Sequence, residues 1–247
     1  MSLLEGVRRV LLVHAHPDDE SIATGALIAD LVGRGIEVGV LTATRGEMGE
    51  VVEGLRALIE EHELSAVRAQ ELRDALAALG VTWHAYLGRY PARAGDRAER
   101  DYRDSGMRWI RPGLAGPDEN VSTEALTSAD VAEVAADLAA AIAAYDPDLV
   151  ITYDEGGGYG HPDHLACYHA TCLAMAGRPR RLAVIITDEP PAGVQSERVD
   201  GARYLETVIA ALRAHATQVT VDGTDIVHSG GQREPIITHV LLRDEPV

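Results

Sequence analysis

A doubly wound α/β fold on a mainly parallel sheet is what this sequence predicts, on three observations. Short apolar runs of strand length alternate with longer stretches of helical period. Gly and Pro bound most of these runs. The length, 247 residues with 46% of them apolar, suits a single domain over 1–247, with a sizeable core and helices on both faces of the sheet. Phe is absent and aromatic residues make up only 4%, so that core has to rest on Leu, Val, Ile and Ala.

The elements follow in order. Arg8 to His14 is a Val- and Leu-rich run, short enough for a buried strand; His16-Pro17 breaks it, because a residue before Pro avoids the helical region. Ser21 is placed to cap a helix running to about Arg34, where Gly35 ends it. Glu37 to Thr44 reads as a second strand, and Arg45 to Gly54, with three glycines and three glutamates, as a loop. An amphipathic helix is expected from Leu55 to Leu79, then a weaker third strand from Val81 to Leu87. Gly88 to Thr127 is rich in Gly, Pro, Arg and Asp and has no period; a loop that long in a compact domain is usually functional. Ser128 to Ala144 is an Ala-rich helix, Leu149 to Tyr153 a fourth strand, and Asp154 to Gly160 a glycine-rich loop. A helix over Leu165–Met175, a fifth strand over Leu182–Thr187, a helix over Ala202–Ala214 and a last strand over Ile236–Leu242 complete a Rossmann-like alternation. No repeat or low-complexity tract interrupts it.

The formal net charge of −17 disfavours nucleic acid and anionic lipid as general partners. No run reaches the roughly 20 apolar residues that a membrane span needs. The first residues lack a basic region followed by an apolar run. A cytoplasmic protein acting on a small molecule is expected, with homo-oligomer formation left open. Cys167 and Cys172, five apart in a helical segment, do not share a face and are expected as reduced thiols.

Two polar segments follow strand ends: His16-Pro17-Asp18-Asp19 after the first strand and His161-Pro162-Asp163-His164 after the fourth. In a doubly wound sheet of order 3-2-1-4-5 those strands are neighbours, and ligands bind where the order reverses. Residues 148 apart in sequence can therefore face one crevice. His16, Asp19 and His164 form a three-ligand set of nitrogen and oxygen donors, as catalytic zinc sites use, leaving a position for water. Imidazole also suits iron and other transition metals, so Zn²⁺ is the first choice and Fe²⁺ an alternative. Asp18 is placed to act as general base. His161 can carry a proton to a leaving amine or stabilise an oxyanion, and Asp163 can orient an imidazole. Either segment alone would most often be a polar turn at a helix start. Both together, after adjacent strands, favour a metal-dependent amide hydrolase.

At Ala15-His16-Pro17-Asp18-Asp19-Glu20 and Gly158-Tyr159-Gly160-His161-Pro162-Asp163-His164 the chain resembles the PIG-L/LmbE-like metal-dependent deacetylases. Within that family it is most similar to the actinobacterial N-acetylglucosaminyl-inositol deacetylases of mycothiol biosynthesis, through Gly46-Glu47-Met48-Gly49-Glu50, Arg68 to Val81, Arg103-Asp104-Ser105-Gly106-Met107 and His215-Ala216-Thr217-Gln218-Val219. The resemblance implies zinc at His16, Asp19 and His164, with Asp18 as base and His161 as acid or stabiliser. It implies that Tyr159 assists the oxyanion and that Glu50, Arg68 and Asp104 contact the sugar or inositol. The activity implied is removal of an N-acetyl group from an N-acetylglucosamine-type amino sugar. Relatives carry a longer segment between Met175 and Ala202, and Asn where this chain has Gly156.

Two rivals remain open. Mycothiol S-conjugate amidases tend to carry Lys three residues after the glutamate of the first motif, where this chain has Ala23. A catalytically silent metal- or sugar-binding protein would need none of Asp18, His161 and Asp163. His62, His84, His169, His215, His228 and His239 lack ligand-like spacing and read as packing or surface residues, His14 as a packed strand end, and Trp83 and Trp109 as core or pocket wall.

Overall fold

The computed structural model describes residues 2–61, 63–95, 97–191 and 193–246. Its seven-stranded main sheet runs β3 (Trp83–Tyr86), β2 (Glu37–Thr42), β1 (Arg9–His14), β6 (Leu149–Tyr153), β7 (Arg181–Ile186), β12 (His239–Asp244), β8 (Ser196–Asp200). The first five of these pair in parallel, in the expected order. β12 is antiparallel to both of its neighbours.

Period-two alternation puts two cores on the two faces. Leu11 and Val13 of β1 join Leu41 of β2 and Val150 of β6 under Leu138 and Ile142 of α5 (Val131–Tyr145) and Ala170 and Met175 of α7 (Pro162–Met175). Val10 and Leu12 turn the other way, with Val38, Val40, Leu149 and Ile151. They meet Leu27 and Leu31 of α2 (Gly25–Gly33), Leu72 and Leu76 of α4 (Leu64–Leu79) and Ala211 of α8 (Leu205–Ala214). Each fully buried aliphatic contributes about 1.5–3 kcal/mol against the exposed chain. Among the described residues no helix is long and apolar enough to cross a membrane.

The structure departs from expectation in six places. The helix expected from Ser21 to Arg34 is split into α1 (Asp19–Ile22) and α2. Ser21 Oγ bonds Glu20 rather than capping, and Thr24 Oγ1 donates back to the Glu20 carbonyl at 2.9 Å, competing with the helix ladder. The helix expected over Leu55–Leu79 is α3 (Arg56–Glu61) and α4, parted at Glu63, whose ψ of 132° is extended; His62 lies outside the described residues. The long loop carries a hairpin, β4 (Met107–Arg111) and β5 (Leu114–Pro117), turned by Pro112-Gly113 with Gly113 at φ 76°. α6 (Gly157–Gly160) is one short turn, and α7 begins before Leu165 because His161 caps it and Pro162 opens it. β8 and an antiparallel sheet of β9 (Val219–Asp222), β10 (Asp225–His228) and β11 (Arg233–Pro235) are additions. The last strand is shifted to His239–Asp244.

Candidate active site

Both polar segments sit at the carboxyl ends of β1 and β6, where the strand order reverses. Tyr153, the last residue of β6, ties them together. Its hydroxyl accepts the Ala15 N–H at 2.8 Å and donates to Asp19 Oδ2 at 2.8 Å. Its ring stacks on that of His164.

Asp19 lies between two imidazoles. Its Oδ2 is 3.3 Å from His16 Nδ1 and its Oδ1 is 3.4 Å from His164 Nε2. Hydrogen bonds on the far ring nitrogens fix the tautomers. His164 Nδ1 faces the Gly157 carbonyl at 3.2 Å, so it carries the proton. His16 Nε2 faces Asp163 Oδ2 at 3.2 Å and carries the proton there. The inner nitrogen of His164 then presents a lone pair toward the carboxylate, and this buried Nε2 has no hydrogen-bond partner. Acceptors aimed at one another in a buried site need a cation between them. Two donors at about 2.0–2.1 Å on tetrahedral axes stand about 3.3 Å apart, close to the spacing of each imidazole nitrogen from its own Asp19 oxygen. The residues present fit a zinc-type ion. Among the described residues, the sets that bring one ligand atom each within 4.8 Å of one another are His16, His161 and His164, and His16, Asp104 and Asp163; Asp19 is in neither set and meets the two histidines through different oxygens.

Asp163 is fully buried and orients His16; its other contacts are the Ser105 N–H at 2.9 Å and the Ser105 hydroxyl. His161 Nδ1 accepts the Asp163 N–H at 3.1 Å, which leaves the proton of the neutral ring on Nε2. Burial, with charge on His16 and His164, pushes the His161 pKa far down. Burial opposes protonation of His16 too, but Asp104, Asp163 and Asp19 override it and raise its pKa. Asp19 is held well below the carboxylate range, against burial, by His164 and His16.

Asp18 adopts φ 104°, a region that non-Gly residues avoid at a cost of about 1–3 kcal/mol. Burial pushes its carboxyl up to about 6, with Arg68 pulling the other way. Arg68, 2% exposed, reaches Asp18 Oδ2 at 3.2 Å and bonds the Pro17 and Gly46 carbonyls. Gly46, at φ 61°, makes room: a Cβ there would collide with Arg68 Nη1.

The three residues that the resemblance assigns to ligand contact stand in three different surroundings. Arg68 is turned to Asp18. Asp104 Oδ1 stands 3.6 Å from His16 Nε2 and accepts the Gly106 N–H at 2.8 Å. Glu50 is exposed and makes no hydrogen bond or ion pair among the described residues. Tyr159, 40% exposed, stands at the rim edge-on to His164, with the half-exposed Trp109 5.7 Å away. Trp83 packs on Tyr145. Buried His14 bonds Thr24 Oγ1 at 3.0 Å.

Sequence reasoning missed Tyr153, Ser105, Glu20 and His215. Glu20 and His215 are both fully buried, with His215 Nε2 2.6 Å from Glu20 Oε1. Burial and position, not residue type, mark them. The one available signal was that Glu20 completes the first motif and that His215 opens one of the family-like segments.

The family model described as GlcNAc-PI de-N-acetylase (PIG-L) matches residues 11–175, a span that holds both motifs. The chain is 41% identical over 263 residues to the 1D-myo-inositol 2-acetamido-2-deoxy-α-D-glucopyranoside deacetylase of Kineococcus radiotolerans, covering 89% of this chain and 71% of that protein. It is 39% identical to the protein of the same name from Acidothermus cellulolyticus, covering 96% of this chain and 89% of that one. The N,N'-diacetylchitobiose deacetylase of Pyrococcus horikoshii shares the fold, with a TM-score of 0.60 at 24% identity over 86% of this chain and 71% of that chain. The motifs, the sheet that juxtaposes them and these similarities agree, and the chain belongs to the PIG-L family of de-N-acetylases.

Proposed function

We propose that this chain hydrolyses the acetamide of an N-acetylglucosaminyl-inositol or a related N-acetylglucosamine conjugate, using zinc held by His16, Asp19 and His164. The observation that carries the reading is the Asp19 carboxylate facing two imidazole nitrogens, of which buried His164 Nε2 has no hydrogen-bond partner. The substrate is supported by relatives at 41% and 39% identity that are named for it. A divalent cation at this point supplies Lewis acidity to the acetamide carbonyl and to water. Ferrous iron suits the same donors, and anaerobic reconstitution with either ion distinguishes the two.

The protein groups supply the rest. Asp18, ionised at neutral pH yet able to hold a proton, takes one from the attacking water and delivers it to the departing nitrogen. The C–N bond breaks, giving acetate and a free amine. His161, kept neutral, directs its Nε2–H at the developing oxyanion, and Tyr159 closes on it from the rim. Asp163 holds His16 in the tautomer required. Glu50 and Asp104 offer acceptors to ligand hydroxyls, while Arg68 acts on the ligand side chiefly through Asp18. Free thiols at Cys167 and Cys172 fit a cytoplasmic setting.

The test is amine release from N-acetylglucosaminyl-inositol, from simple N-acetyl sugars and from a mycothiol S-conjugate, in metal-free and zinc-loaded protein. Zinc-dependent release from the first, lost in Asp18→Ala at full metal content, is expected. Release from the S-conjugate alone would make it an amidase, and no release from any amide would sink the proposal.

A further inference from the structure

Asp18 is held from two directions. Its main-chain N–H donates to Glu20 Oε2 at 3.0 Å, and its carboxylate meets Arg68. Neither holder stands alone. Glu20 Oε1 receives the Ser21 hydroxyl at 2.6 Å and His215 Nε2 at 2.6 Å. His215 begins the turn after α8, and two residues on Thr217 donates its N–H and hydroxyl to Glu71 at 2.8 and 2.6 Å. Glu71 lies three residues beyond Arg68 on α4, on the same helical face. Side-chain contacts and two short stretches of chain, 215–217 and 68–71, therefore close a ring: Asp18, Glu20, His215, Thr217, Glu71, Arg68 and back to Asp18.

We infer that Glu20, His215 and Glu71 are positioning residues that fix the carboxylate of Asp18 for proton transfer. The inference rests on reading Asp18 as the general base. All three are buried, and Glu20 and His215 are fully so, which keeps them from touching a ligand. Their common effect is on an aspartate in a backbone conformation that an unrestrained Asp would leave. A base displaced by about 1 Å loses on the order of 100-fold in rate, so fixing it has kinetic value. Among the described residues no hydrogen bond or ion pair joins any of the three to His16 or His164, so the ring acts on the base rather than on the residues proposed to hold the cation.

The zinc-loaded protein tests this, with kcat, KM and bound metal measured for wild type, Asp18→Asn, His215→Ala, His215→Gln and Glu20→Gln. Gln at 215 places an amide N–H near the position of Nε2. The expectation is that Asp18→Asn is inactive. His215→Ala and Glu20→Gln should lose about 10- to 100-fold in kcat, with KM within about twofold and full metal content. His215→Gln should recover most of the rate. If His215→Ala does not fold, Glu20→Gln, which keeps size and packing, carries the same expectation. Wild-type kcat in a folded Glu20→Gln would overturn the inference while leaving Asp18 as base. A loss of rate that tracks loss of metal would overturn it as well. Activity in Asp18→Asn would instead remove the reading on which it rests.

Discussion

Tyr153 lies flat against His164, ring centroids 4.0 Å apart and planes 6° from parallel, while its hydroxyl bonds Asp19. One side chain thus supports two of the three residues proposed to hold the cation. Tyr153→Phe keeps the stacking and removes the hydroxyl. Buried Ala15 N–H then loses its acceptor, a loss of about 1–3 kcal/mol in stability. Metal affinity is expected to fall about 10- to 100-fold, as for other groups that orient a ligand. Urea denaturation and competition with a chelator measure the two effects; unchanged metal retention would mean that Asp19 holds its place without Tyr153.

Trp109 is 48% exposed beside Tyr159 at the rim. Trp109→Ala is expected to leave stability within about 0.5 kcal/mol, as for a surface change. If a sugar or cyclitol face packs on the indole, KM rises by roughly 2- to 10-fold, the equivalent of about 0.5–1.5 kcal/mol, at constant kcat. Steady-state kinetics on the N-acetylglucosaminyl-inositol substrate decide it, and a fall in kcat alone would place the indole with the catalytic groups instead.

Burial pushes the pKa of His84 down to about 4, and its Nε2 bonds Thr42 Oγ1 at 3.1 Å. A histidine depressed in the folded state binds protons preferentially in the unfolded chain. Its neutral form supports the fold fully above the ordinary value of 6.5, and stability drains away as pH falls from there toward 4. The slope from this one group reaches about 1.4 kcal/mol per pH unit at most. His84→Gln, which can still bond Thr42, should lose less stability between pH 7 and pH 5, measured by urea denaturation at each pH, than wild type does. Equal losses in both proteins would refute the linkage.

The parallel half of the sheet was legible because β1, β2 and β6 are buried on both faces and read as continuous apolar runs. Their order followed, and with it the meeting of His16 and His164. The antiparallel additions left no such trace. β8 buries only Val199 fully, and β11 buries none of its three residues, so neither shows a hydrophobic period. β9 and β10, joined by Gly223-Thr224, are four residues each, too short to carry a period. At the site, donor types and spacing singled out His16, Asp18, Asp19 and His164, which the structure brings together. Arg68 could not be read that way: on an exposed helix face the same residue would be solvated, and only tertiary packing against Gly46 and Pro17 turns it inward.

The residues proposed to hold the cation all lie at or before residue 164, whereas the ring around Asp18 closes only through residues 215 and 217. Binding and turnover therefore depend on different stretches of chain. A molecule in which the turn after α8 has come loose still presents His16, Asp19 and His164, yet lacks a fixed base. On gradual heating, catalysis should fade while metal stays bound, and a partly folded copy would sequester zinc without consuming substrate.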